Sequence, residues 1–183
     1  LKRTDCSLVS DGAAAVVIAD GETARSMRRA VGFKGVAHAQ DFLPMSKRDI
    51  LKFDGCALAW KTALGQAGVS LEDLSFVETH DCFTIAELIE YEAMGLTPEG
   101  QGARAVKEGW THKDGKLPVN PSGGLKAKGH PIGATGVSMH ALTAMQLCGE
   151  AEGIQVEGAT LGGIFNMGGA AVANYVSLLE RTR

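Results

Sequence analysis

The sequence predicts an α/β domain built on a mixed five-stranded sheet with helices on both faces. Short apolar or alternating runs, "DGAAAVVIAD" (11–20), "VGFKGVAHAQ" (31–40) and "FVET" (76–79), alternate with segments of helical periodicity. Two more strand-like runs, "GATLGGIFN" and "AAVANYVSLLE", close the chain around "MGG", as a hairpin would. At 183 residues, 45% hydrophobic and 21% charged, the chain is long enough for one self-buried core.

Each element has its own signal. Residues 11–20 form a turn followed by a continuous apolar run, which suits a strand covered on both faces. "ETARSMRRA" reads as a short polar-faced helix, and 31–40 as a second strand. "FDGCALAWKTALGQAGV" repeats apolar residues at helical spacing and stops at Gly68. Thr84 and Glu87 have the spacing of a capping box, so "FTIAELIEYEAMG" is expected as a helix ending at Gly95. Residues 96–130, rich in Gly, Pro and charge, make a loop excursion long enough to be functional. A helix from about Gly133 to Leu147 leads into the terminal hairpin. Phe53, Trp60, Met139 and Met145 are expected in the core, and His112 in solvent.

From Ile132 to Gly149 there is no Asp, Glu, Lys or Arg. A helix lying on one face of a single sheet should carry a charged outer stripe where it meets water. This one is apolar or small all round, so a second cover is expected from another domain or a partner subunit.

Composition excludes several classes. A net charge of −3 offers no footprint for nucleic acid or an anionic membrane surface. Cys6, Cys56, Cys82 and Cys148 are scattered without a C-x-x-C pair, which argues against a disulfide scaffold or a structural metal site and fits a reducing compartment. "LKRTDCSLVS" lacks the apolar core of a signal peptide, "RTR" is not a peroxisomal address, and no run is apolar enough to span a membrane. A cytoplasmic protein is expected.

The strongest local signal is "NPSGGLKAKGHPIGATG" (120–136). Gly123 and Gly124 allow a tight turn and close backbone approach to a ligand. Pro131 constrains the chain just after His130, and a helix follows at once. The positive end of that helix disfavours a charged imidazole. A neutral imidazole can accept a proton from a thiol or donate a hydrogen bond to an oxyanion. Upstream, "VETHDCFTIAEL" places Cys82 where a strand ends and a helix begins, a position expected to lower a thiol pKa, with His80 two residues before it. On spacing alone the commoner reading of Cys82 is a small buried hydrophobe. Lys126 and Lys128 flank the glycine loop, where they would meet a ligand's phosphates or simply carry solvating charge.

"HDCFTIAELIEYEAMGLTPEGQGA", "NPSGGLKAKGHPIGATG" and "NMGGAAVANY" resemble, in this order, the C-terminal half of thiolases, most closely the branch of the sterol-carrier-protein thiolases. The similarity covers essentially the whole chain. It implies a thiolase-like half-fold, in which two similar halves pack as layered helix/sheet/helix/sheet/helix and each contributes one helix to the middle layer. It also implies Claisen condensation, or its reverse, on acyl-CoA thioesters, with coenzyme A esters as substrate and no resident cofactor or metal.

In that resemblance the nucleophilic cysteine lies on an N-terminal half, and His130 matches the histidine that activates it and helps form an oxyanion hole. Most thiolases carry a second, acid/base cysteine in a C-x-G-G-G stretch. This chain has "FNMGG" there, and the cysteine of "HDCF", Cys82, takes over the role. His80 stands where other thiolases hold a catalytic water with an asparagine. The backbone around Met167, Gly168 and Gly169 would match the second oxyanion hole, and Ser122, Gly123 and Gly124 the CoA-facing loop. None of Cys6, Cys56 and Cys148 sits in a Gly-rich catalytic context. The chain is therefore expected to be a C-terminal thiolase domain over 1–183, inactive without its N-terminal partner, in an enzyme that forms a homodimer or tetramer. Two alternatives stand beside it: a thiolase-like CoA-ester aldolase lacking the nucleophile, and a non-catalytic thiolase-like subunit. A ketoacyl synthase is disfavoured, because that relative uses two histidines and lacks the "HDCF" cysteine.

Overall fold

The computed structural model describes residues 1–182. Four strands form one mixed sheet: β1 (Val31–Gln40), β2 (Phe76–Glu78), β3 (Leu161–Gly168) and β4 (Ala173–Arg181). Their order is β1-β4-β3-β2, with β1/β4 and β4/β3 antiparallel and β3/β2 parallel. The helices are α1 (Gly21–Ser26), α2 (Asp54–Ala67), α3 (Thr84–Ala93), α4 (Gly102–Lys107), α5 (Gly124–Lys128) and α6 (Thr135–Cys148).

The strand period of two sorts the sheet's side chains between two cores. Leu161, Phe165 and Met167 of β3, with Val176 and Leu178 of β4, pack with Ala59, Trp60 and Ala63 of α2. Ile164 and Leu179 point the other way, into a smaller core with Phe76 and with Met139 and Leu147 of α6. Helices therefore cover both faces, as expected. Trp60, Phe76 and Phe165 are fully buried, each contributing on the order of 2–3 kcal/mol by leaving water.

The fifth strand is not there. Residues 11–20 run without regular structure, and Val17 and Ile18 are 90% and 82% exposed. Their apolar character is real, but among the described residues no strand of the sheet pairs with them. The hairpin does form, and Gly68, in the left-handed region at φ 66°, stops α2 as expected.

Other local expectations are revised. The helix after "HDCF" starts at Thr84 with no side-chain cap. Glu87 instead accepts from the Tyr91 hydroxyl at 2.7 Å and from Asn120 Nδ2 at 3.3 Å, so its carboxylate is turned inward and no capping box closes. The excursion 96–130 is not a bare loop, since it holds α4 and α5. Met145 is 41% exposed, so of the two methionines only Met139 fills core.

The uncharged α6 buries Met139, Thr143, Gln146 and Leu147 against the sheet side. Val137, Ala141, Leu142 and Ala144 on its other flanks remain only half-buried. No helix among the described residues is long and apolar enough to cross a membrane.

Candidate active site

The carboxyl ends of the parallel pair β2/β3 carry the candidate site, the usual place for a ligand crevice in an open α/β sheet. After Glu78 the chain makes a tight turn through Thr79, His80, Asp81 and Cys82, closed by the Cys82 N–H donating to the His80 carbonyl at 2.9 Å. An N-terminal strap then ties two distant segments together. The Ser7 N–H donates to the Cys82 carbonyl at 2.9 Å, and the His130 N–H donates to the Leu8 carbonyl at 3.0 Å. Cys82 and His130 thus flank one extended strap, two strand spacings or about 10 Å apart in backbone.

The imidazoles meet directly. The rings of His80 and His130 stand edge to face at 86°, with centroids 5.0 Å apart. His130 Nδ1 lies 2.7 Å from Thr135 Oγ1, whose own proton goes to the Pro131 carbonyl at 3.1 Å. The hydroxyl is thereby left to accept, so His130 carries its proton on Nδ1 and offers an Nε2 lone pair. His80 Nδ1 lies 2.6 Å from Asn166 Oδ1. Both rings are held neutral at pH 7. Burial pushes His80 down to about 4, the Asn166 bond opposing and His130 and Lys128 adding to the shift. Burial lowers His130 too, against the pull of the Asp81 carboxylate. The direction at His130 matches expectation, but desolvation leads rather than the helix dipole.

Cys82 departs from expectation. Its thiol is pushed up to about 12, by burial first and then by the neighbouring Glu90 and Asp81 carboxyls. The amide of Phe83 works the other way and loses. Cys82 rests as a thiol and so holds a proton rather than a ready thiolate. His80, considered as a hydrogen-bond partner for it, spends its Nδ1 on Asn166 instead. Below the turn, Glu90 is wholly buried and accepts from the Thr79 hydroxyl. Burial holds its carboxyl well above the ordinary range.

The glycine loop is built around two carboxylates. Glu78, fully buried, accepts from Ser122 N at 3.1 Å and Ser122 Oγ at 2.6 Å, with Lys128 Nζ at 3.5 Å. Asp81 accepts from the Leu125 and Lys126 amides at 2.6 and 3.2 Å, capping the first turn of α5. Gly124 has φ 61°, and a Cβ there would come within 2.4 Å of an Asp81 oxygen, so only glycine fits. Lys126 donates to the Thr4 and Cys6 carbonyls, and Lys128 to Ser122 Oγ at 3.0 Å. These lysines, with Ser122, serve the scaffold of the loop rather than standing free in solvent.

Met167 and Gly168 end β3 opposite Asn174 and Ala173. The turn that follows puts Gly169, Ala170 and Ala171 in the left-handed region at φ 64°, 53° and 63°. Arg48 clamps it, donating to the Ala170 carbonyl at 2.6 Å and the Gly169 carbonyl at 3.4 Å. Asn166, one residue before Met167, links this end of β3 to His80. Of the residues expected to act together, His80 and His130 touch, Cys82 adjoins them through the strap, and Met167–Gly169 reach them through Asn166. Ser122–Gly124 line the loop behind, at Glu78 and Asp81. Cys6, Cys56 and Cys148 are free thiols outside this group.

Thr135, Asn166, Glu78, Asp81 and Glu90 escaped the sequence reading. Thr135 follows His130 by five residues, within the reach of a helix-start hydroxyl. The side chains of Asn166 and His80 meet across 86 residues, and no spacing rule connects them.

Residues 35–181 match the family model described as thiolase C-terminal domain-like, and the chain belongs to the thiolase family. It is 42% identical over 183 residues to an acetyl-CoA acetyltransferase of Methanothermobacter thermautotrophicus, covering 99% of this chain and 48% of that protein. It is 41% identical over 176 residues to sterol carrier protein 2 of Homo sapiens, covering 91% of this chain and 32% of that protein. The chain thus spans half or less of these relatives. Among solved structures, the Ltp2-ChsH2(DUF35) aldolase superposes with a TM-score of 0.80 at 20% identity, over 89% of this chain and 43% of that one. That likeness concerns the fold.

Proposed function

We propose that this chain is the C-terminal half of a thiolase-type acyl-CoA C-acyltransferase, completed by an N-terminal half that carries the nucleophilic cysteine. The observation that carries the reading is the meeting of His80 and His130, both neutral and each with Nδ1 committed, at the turn that also holds Cys82. The kinship with an acetyl-CoA acetyltransferase over nearly the full chain supports the substrate class.

In this reading His130 Nε2 takes the proton of the nucleophilic thiol as that sulfur attacks the thioester carbonyl. His130 keeps that proton until the nucleophilic sulfur departs in the second half-reaction and takes it back, so charge balances over the cycle. While protonated, Nε2–H donates to the developing oxyanion. Cys82 carries the second proton. In condensation its S–H first gives its proton to the departing CoA sulfur, and the thiolate so formed takes the α-proton. In cleavage the S–H protonates the α-carbon of the departing enolate, and the thiolate recovers a proton from the incoming CoA thiol. The Met167–Gly169 backbone supplies the second oxyanion site, and the Ser122–Gly124 loop borders the CoA arm. His80 is the hydrogen-bonding partner for a water at the reacting centre, its Nε2 accepting from that water.

The test uses the enzyme with both halves present. Cys82→Ala is expected to abolish condensation while labelled acyl-CoA still acylates the nucleophile. His130→Ala is expected to block the acylation itself. Normal turnover by the Cys82 variant would overturn the acid/base assignment, and full acylation by the His130 variant would overturn its role as activator.

A further inference from the structure

Resting on that reading of the site, we infer that Asn166 is a positioning residue for His80: its side-chain carbonyl fixes the imidazole as the Nδ1–H tautomer and leaves Nε2 as the acceptor on the ring that meets His130. Four features of the structure converge on this. An amide oxygen can only accept, so at 2.6 Å from Asn166 Oδ1 the ring proton must sit on Nδ1. The alternation along β3 turns Phe165 and Met167 toward α2 and Asn166 toward α6, the side on which His80 lies. Space for the amide is reserved: a Cβ on Gly136, in the first turn of α6, would come within 2.9 Å of Asn166 Nδ2. Finally, His80 is only 5% exposed, so water does not compete for Nδ1.

The choice of an amide has chemical content. A carboxylate at this distance would fix the same tautomer but would also hold the ring as an imidazolium, which donates from both nitrogens and accepts at neither. Asparagine sets the orientation and leaves the ring neutral, as the neighbouring His130 also requires. Two imidazolium rings 5.0 Å apart in a buried cleft would repel.

The discriminating variants are Asn166→Asp and Asn166→Ala in the enzyme with both halves present. With Asn166→Asp, a near-isostere, the acid limb of the condensation pH profile is expected to move up by at least one pH unit. With Asn166→Ala, kcat is expected to fall at least tenfold while KM for acyl-CoA stays within twofold. Nitrogen-15 spectra of histidine-labelled protein provide the second readout. His80 is expected as a single Nδ1–H tautomer in the wild type, as an imidazolium at pH 7 in Asn166→Asp, and as a tautomer mixture in Asn166→Ala. A side chain that merely packed would weaken both variants alike without moving the acid limb or the His80 signals, and that outcome overturns the inference. If the wild type turned over no acyl-CoA, the acyltransferase reading would fall. The His80 spectra would then still decide the tautomer on their own.

Discussion

The rings of His80 and His130 touch edge to face, 5.0 Å between centroids, although fifty residues of chain including α3, α4 and α5 separate them. What brings them together is backbone. The strap donates from Ser7 to one segment and accepts at Leu8 from the other, and the Glu78 and Asp81 carboxylates hold the loop that leads to His130. The cleft is therefore built by polar groups, and its protonation should report directly on folding.

Burial of His80 predicts a pH signature. Its pKa falls from the ordinary 6.5 to about 4 in the fold. Between those values the unfolded chain takes up a proton that the folded one refuses. Stability from this group is whole above 6.5, declines as pH drops through the window and is gone at about 4, a loss of about 3 kcal/mol. The buried carboxyls of Glu78, Asp81, Glu87 and Glu90 are raised and act in the opposite sense. They cancel in a comparison of the wild type with His80→Gln. Urea denaturation of both proteins from pH 7 to pH 4 should show the wild type losing about 3 kcal/mol relative to the variant. A difference that stays constant with pH would refute a buried neutral His80.

Much of this was legible beforehand, and the failures have physical causes. Helix α2 and the terminal hairpin could be read because apolar period, Gly68 and the "MGG" turn all pointed one way. "HDCF" and "GHP" were legible because the glycines, Pro131 and His130 sit within a few residues of one another. The run 11–20 misled because hydrophobicity says that a segment needs cover, not which chain supplies it. Cys82 misled for a related reason. Its place before a helix is visible in sequence, but its burial and the Glu90 carboxyl brought beside it are set by packing, and with Asp81 they outweigh the amides.

The raised thiol of Cys82 has a consequence for labelling. At a pKa of about 12, only about one sulfur in ten thousand is ionised at pH 8. The greater nucleophilicity of a more basic thiolate restores part of the lost rate. Alkylation of Cys82 by iodoacetamide in the folded chain is expected to run at least tenfold slower than in the same chain unfolded in urea, with peptide mass spectrometry separating the four cysteines. Equal rates would mean that the thiol is not held protonated by its surroundings.

A last expectation concerns the turn beside the proposed oxyanion backbone. Ala170 and Ala171 both adopt left-handed φ, a conformation that costs a residue with Cβ about 1–2 kcal/mol. It persists because donors hold its carbonyls. Arg48 takes those of Gly169 and Ala170, and the buried Asn174 Nδ2 donates to the Ala171 carbonyl at 2.9 Å and the Ala39 carbonyl at 3.3 Å. Removing that donor strands the Ala171 carbonyl, so Asn174→Ala should cost about 1–3 kcal/mol. Asn174→Asp keeps the shape but aims an anionic oxygen at the same carbonyls, and at pH 7 it should cost at least about 1 kcal/mol more than the alanine. As pH falls and the new carboxyl takes up a proton, it regains a donor, so the gap between the two variants should close. Thermal melts of both at pH 7 and pH 4 measure this. If the aspartate variant matched or exceeded the alanine variant in stability at pH 7, the turn would not depend on donation from residue 174.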